Sequence, residues 1–150
     1  MSNAYSAQNA QWRERLMEVV GRLADADLDR PAGGPGWTVG GLLAHMAFYD
    51  YRALTLLDKW KKNAIGPSGL DIDVVNDSLK PLFNVLRPRE LRRMVVQAAE
   101  DLDAEIDALD PGFLSRIESE GKPVRLNRAA HREHHLGQIE KAVGAESGRR

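Results

Sequence analysis

Residues 88–109 read PRELRRMVVQAAEDLDAEIDAL. Apolar side chains fall at Leu91, Met94, Val95, Ala98, Leu102, Ile106 and Leu109, three and four residues apart, with charged residues such as Arg92, Arg93, Glu100 and Asp101 between them. That spacing is the period of an α-helix with one stripe to bury. Pro88 suits the first turn, where the missing N–H would have had no helical partner. Asp110, Pro111 and Gly112 then read as its end.

The same period recurs on both sides. Residues 5–27 carry Trp12, Leu16, Val19, Val20 and Leu23 at helical spacing, and the proline- and glycine-rich run 30–36 must be a loop. Thr38 is placed to cap a second helix running to about Lys62, with Leu42, Leu43, Met46, Ala53, Leu54, Leu57 and Trp60 as its apolar set. After a second loop over 63–69, Asp71 or Asp73 caps a shorter helix containing Val74, Val75, Leu79 and Leu82, with Pro81 arguing against its last turn. A polar connector through Gly121 and Pro123 leads to a last helix over about 127–143, and residues 144–150 read as a frayed tail. No stretch alternates with period two long enough to make a strand. Four long amphipathic helices imply an all-α fold, a four-helix bundle, and 150 residues imply one domain, 1–150. Residues 1–4 resemble a remnant of tag removal.

Composition narrows the function. There is no cysteine, which removes thiolate ligands and a cysteine nucleophile and suits a reducing compartment. The net charge is −1, from 21 basic and 22 acidic side chains, so no overall field draws in nucleic acid or an anionic membrane. No apolar run approaches the ~18 residues of a membrane span and no targeting segment is visible, so the expected location is cytoplasmic.

The histidines carry the chemistry. Three of the four fall in five residues, His131, His134 and His135, and the fourth is His45. His131 and His135 are four apart, so on a helix they share a face, whereas His134 points about 100° round it. Such a pair with a lone imidazole from another helix is the minimum for an open three-histidine metal site. Two plainer readings stand beside it: a solvated pair on a helix surface, and a packed or hydrogen-bonded His45.

Two motifs extend the reading. Trp37-Thr38-Val39-Gly40-Gly41-Leu42-Leu43-Ala44-His45 and His131-Arg132-Glu133-His134-His135-Leu136-Gly137-Gln138-Ile139, in this order and separation, resemble the DinB superfamily of DinB/YfiT-like metalloenzymes. The resemblance implies a four-helix bundle with a long crossover connection and a metal site at one end. It implies His45, His131 and His135 as ligands, zinc or nickel as the metal with iron as a further option, and a low-molecular-weight thiol such as mycothiol, bacillithiol or glutathione as co-substrate. The activity so implied is a thiol-dependent S-transferase or isomerase on a small-molecule substrate. A metal-hydroxide hydrolase of an amide or ester is the second reading, and a non-catalytic helical homodimer binding a small molecule or metal is the third.

Neighbouring residues receive lesser roles. Tyr49, one turn beyond His45, is placed at the pocket mouth or in the core, and Trp37 is a packing anchor. Gln138 is set to hydrogen-bond within the bundle, Glu133 to make a salt bridge, and Arg128 to be solvated near the helix start or to greet an anion. The stretch 71–76 reads as a cap and a solvated turn, or as a pocket wall.

Overall fold

A computed structural model describes residues 2–120 and 124–147, and they are helical almost throughout. The helices are α1 (Ser6–Arg22), α2 (Val39–Lys62), α3 (Ile72–Phe83), α4 (Pro88–Asp107), α5 (Pro111–Glu120) and α6 (Ala129–Ser147), with a 3₁₀ turn at Asp25–Asp29. Among the described residues no strand forms; an isolated antiparallel bridge joins Pro31 to Thr38 across the first loop. The all-α expectation therefore holds. No described helix is long and apolar enough to cross a membrane.

Four long helices close a ring of contacts: α2 packs on α4, α4 on α1, α1 on α6 and α6 on α2. Two apolar clusters fill the ring. One gathers Leu16, Val20, Leu43, Met46, Val95, Leu136 and Ile139, and the other Leu57, Trp60, Leu102, Ile106 and Ile117. The stripe read from residues 88–109 supplies both, since Leu91 and Val95 enter the first and Leu102 and Ile106 the second.

α2 begins unusually deep. Thr38 caps it by accepting a hydrogen bond from the Gly41 amide at 2.9 Å. Every residue from Val39 to Ala47 is buried, so its first turns are wrapped all round rather than on one stripe. Gly40 and Gly41 permit this. A Cβ on Gly40 would lie 3.2 Å from the Leu28 carbonyl oxygen, and one on Gly41 would lie 3.2 Å from Asn84 Oδ1 and 3.3 Å from the Trp37 ring.

The expected boundaries need four corrections. α1 stops at Arg22, not near residue 27, because Leu23 turns extended and 25–29 wind as a 3₁₀ turn. Pro81 lies inside α3, in its last turn, and the helix runs on past it to Phe83. Asp110-Pro111-Gly112 starts α5: Asp110 Oδ2 accepts from the Gly112 and Phe113 amides at 3.0 and 3.1 Å, and Pro111 takes the first helical position. The tail is helical as far as Ser147, beyond the expected end near residue 143, and the remaining three positions lie outside the described residues. Gly121 and Pro123 of the expected connector also lie outside them. Asn3, read as part of a remnant, hydrogen-bonds the Ile106 carbonyl at 2.8 Å.

Candidate metal centre

α6 is held by groups from three other helices. Asn9 of α1 accepts from the backbone amides of Arg128 and Ala129 at 2.8 and 3.2 Å, and Asn127 Oδ1 accepts from Ala129 at 3.0 Å, so the first N–H groups of α6 are satisfied. Arg128 is buried and donates from Nε and Nη2 to Asp50 Oδ1 of α2 at 3.1 and 2.8 Å. Arg132, 1% exposed, makes a two-pronged pair with Asp103 of α4 at 2.8 Å on each prong and also donates to the Asn9 carbonyl. Arg13 adds a 2.7 Å contact to Asp103. Burial pushes the Asp50 carboxyl up, against the pull of Arg128 and Arg132.

This belt of buried charge was not foreseen, and the solvated reading of Arg128 is overturned. A carboxylate every few residues on a helix reads as surface. The signal available was the position of Asp50 and Asp103 among apolar neighbours at core spacing, opposite arginines at 128 and 132.

The belt turns one face of α6 toward α2. His45, His131 and His135 offer ring nitrogens that all lie within 4.8 Å of one another, the one such cluster of potential ligands among the described residues. His131 Nε2 and His45 Nε2 are 3.3 Å apart. Two nitrogens bound to one tetrahedral ion at ~2.0–2.1 Å stand roughly 3.3 Å apart, so that spacing suits a shared ion. The ring centroids of His135 lie 4.6 Å from those of both His45 and His131. His134 is exposed and stacks edge-on against His135 at 4.9 Å, and Glu133 is exposed on another face.

Hydrogen bonds restrict which nitrogens are available. Gln138 Oε1 lies 2.7 Å from His135 Nδ1, an acceptor that holds a proton there and leaves Nε2 bare. This is the bond expected of Gln138. Arg128 Nη2 lies 3.3 Å from His131 Nδ1; a guanidinium can only donate, so this contact is a hydrogen bond in the tautomer with Nδ1 bare and is given up in the tautomer that frees Nε2 for an ion. His45 Nδ1 is buried and has no hydrogen-bond partner.

Burial keeps the three rings neutral. It lowers His45 to about 4, with His135 reinforcing it, and lowers His131 to about 2, with the Arg128 guanidinium next in effect. His135 is lowered as well, chiefly by burial, although its bond to Gln138 opposes the shift. Neutral imidazole is the ligating form. The donor set therefore fits a borderline-soft divalent ion with room for a further ligand.

The rings stand at the floor of an open cleft of about 1120 Å³. α2 contributes Tyr49 and Arg52 to its lining, residues 65–70 form one rim, α3 brings Ile72 and Asn76, and Val124, Arg125, Asn127 and Arg128 complete it ahead of α6. Tyr49 stacks edge-on to His45 at 4.8 Å and donates from its hydroxyl to Asn76 Oδ1 at 2.9 Å. Burial raises the Tyr49 phenol, so it stays a donor at neutral pH. Trp37 packs edge-on against His45 at 5.6 Å from the other side. Of the readings of 71–76, the cap and the pocket wall are realised and the solvated turn is not: Asp71 caps α3 through the Val74 amide, the chain is helical from Ile72, and Asn76 lines the cleft.

Fold and site together define a class, helical proteins with a three-imidazole centre open to a cleft. The chain belongs to the mycothiol maleylpyruvate isomerase N-terminal domain family, a DinB/YfiT-like domain, whose model matches residues 10–123. The match includes His45 and ends before α6, so the His131–His135 pair lies outside the matched span. No curated protein and no solved structure matches the chain.

Proposed function

We propose that this protein is a divalent-metal-dependent enzyme, with His45, His131 and His135 as its ligands and a small thiol as co-substrate in an S-transfer or isomerisation reaction. The carrying observation is the convergence of three buried or half-buried imidazoles, with no carboxylate among them, at the floor of a large cleft. Zinc or nickel suits that donor set best. Family membership supports the thiol, since the description of the family names mycothiol.

A divalent ion ligated only by neutral imidazoles keeps its full charge and favours the thiolate of a bound thiol, whose free pKa is near 8.5. The protein's own groups do the rest. Gln138 fixes the His135 ring, and Arg128, held by Asp50, abuts His131. Tyr49 presents a neutral phenol on the wall, and residues 65–70 line one side of the cleft. The cleft is wide enough for a thiol and a second small molecule together.

Elemental analysis of protein purified without a metal-chelating column, followed by mycothiol, bacillithiol and glutathione with an electrophile such as monochlorobimane, tests this reading. Stoichiometric metal that disappears in His131→Ala, and turnover only with a thiol, are the expected results. Turnover without thiol would move the assignment to the hydrolase, and bound metal without turnover to a binding protein.

A further inference from the structure

Two of the three imidazoles have a comparable need. A histidine that ligates through Nε2 carries its proton on Nδ1, and an acceptor on that proton fixes both tautomer and ring angle. Gln138 supplies such an acceptor to His135. His45 Nδ1 has none in bonding geometry, although His45 is only 8% exposed and a buried orphan donor is costly. The group within reach is Asn76, on α3. Its Oδ1 already accepts from Tyr49, whose ring lies against His45, and an amide oxygen has a second lone pair to offer. Asn76 and His45 line the same cleft, and Tyr49 touches both, its ring against His45 and its hydroxyl on Asn76.

Resting on the metal reading above, we infer that Asn76 is a positioning residue of the metal centre: oriented by the Tyr49 hydroxyl, its amide oxygen takes the His45 Nδ1 proton and aims Nε2 at the shared ion. Asn76 then does for His45 what Gln138 does for His135. The Tyr49 bond decides which end of the amide faces inward, since a hydroxyl donating to Oδ1 fixes the oxygen on the side of α2. α3 thereby has a task beyond packing. The helix is set by its Asp71 cap, and Asn76 in its second turn lines the cleft.

Titration of the full chain with Co(II) tests this, with visible d–d absorption reporting ligand geometry, chelator competition giving affinity and circular dichroism checking the fold. Asn76→Leu is expected to weaken Co(II) binding roughly 10- to 100-fold and to alter the absorption envelope. Asn76→Asp keeps an acceptor at the same reach and is expected to bind at wild-type strength or tighter with the wild-type envelope. Tyr49→Phe, which frees the amide to turn, is expected to fall between them. Wild-type affinity and spectrum in Asn76→Leu would overturn the inference, as would an Asn76→Asp variant as weak as Asn76→Leu. Failure of the wild-type chain to take up Co(II) would overturn the metal reading as well, so the wild-type titration separates the two failures.

Discussion

Two polar regions lie side by side inside this protein and are built on opposite terms. In the belt of Asn9, Asp50, Asp103, Arg128 and Arg132, most donors and acceptors have a partner at 2.7–3.2 Å; Arg128 Nη1 reaches the Arg125 carbonyl at 3.4 Å, Asp50 Oδ2 stands 3.7 Å from Arg132, and Arg132 Nε has no partner. In the histidine pocket one turn away, imidazoles face one another, one ring nitrogen is orphaned, and the whole opens to a cleft. Satisfied buried charge holds helices in register; convergent, under-satisfied donors are a place for something else to bind. The belt thus belongs to folding and the pocket to function, and they should respond differently to the same kind of insult.

Asp103→Ala makes the largest difference. It leaves Arg132 buried without its carboxylate and should destabilise the protein by about 3–5 kcal/mol in urea denaturation, with or without added metal. The pocket should behave in the reverse way. Zinc at about 100 times its dissociation constant should stabilise the wild-type chain by about 2.7 kcal/mol, and His131→Ala should abolish that increment while leaving stability in chelator close to wild type. A His131→Ala variant that still gains from zinc would erase the contrast between the regions.

Acid should separate them next. The three histidines have folded pKa values below the unfolded 6.5, so below that pH the unfolded chain binds more protons and stability falls as pH drops. His45 contributes to this loss down to about 4, and His131 further still. For one ring the slope is at most about 1.4 kcal/mol per pH unit, read from melting in chelator across that window. Carried out in His45→Gln, the same titration should lose part of its slope. The smallest effect belongs to His134→Ala, an exposed ring outside the converging set, for which changes of stability under about 0.5 kcal/mol and unchanged zinc stoichiometry are expected.

The two regions also differ in how far they could be read in advance. The pocket announced itself because histidine is scarce in this chain and a spacing of four fixes a common face. Its ring partners were partly legible: Gln138 follows His135 by three residues, but Asn76 comes from a helix whose packing the sequence does not specify. The belt was hidden because Asp50, Asp103 and Arg132 are residue types that periodicity assigns to solvent, and only the pairing of distant helices shows that each has a counter-charge. The same limit explains α5. Asp-Pro-Gly punctuates a chain in either direction, and its use here as a helix start depends on Ile117 finding the second apolar cluster.

The two glycines at the head of α2 set the elevation of His45. With no side chain at 40 and 41, the helix axis drops against the Leu28 carbonyl and Asn84, and the imidazole a little more than one turn later arrives level with the pair on α6. A methyl group at either position would require its neighbours to give by a few tenths of an ångström. That displacement is small for a core but large for three nitrogens proposed to share one ion, so the aim of the proposed centre is set by hydrogen atoms at a site remote from its three imidazoles.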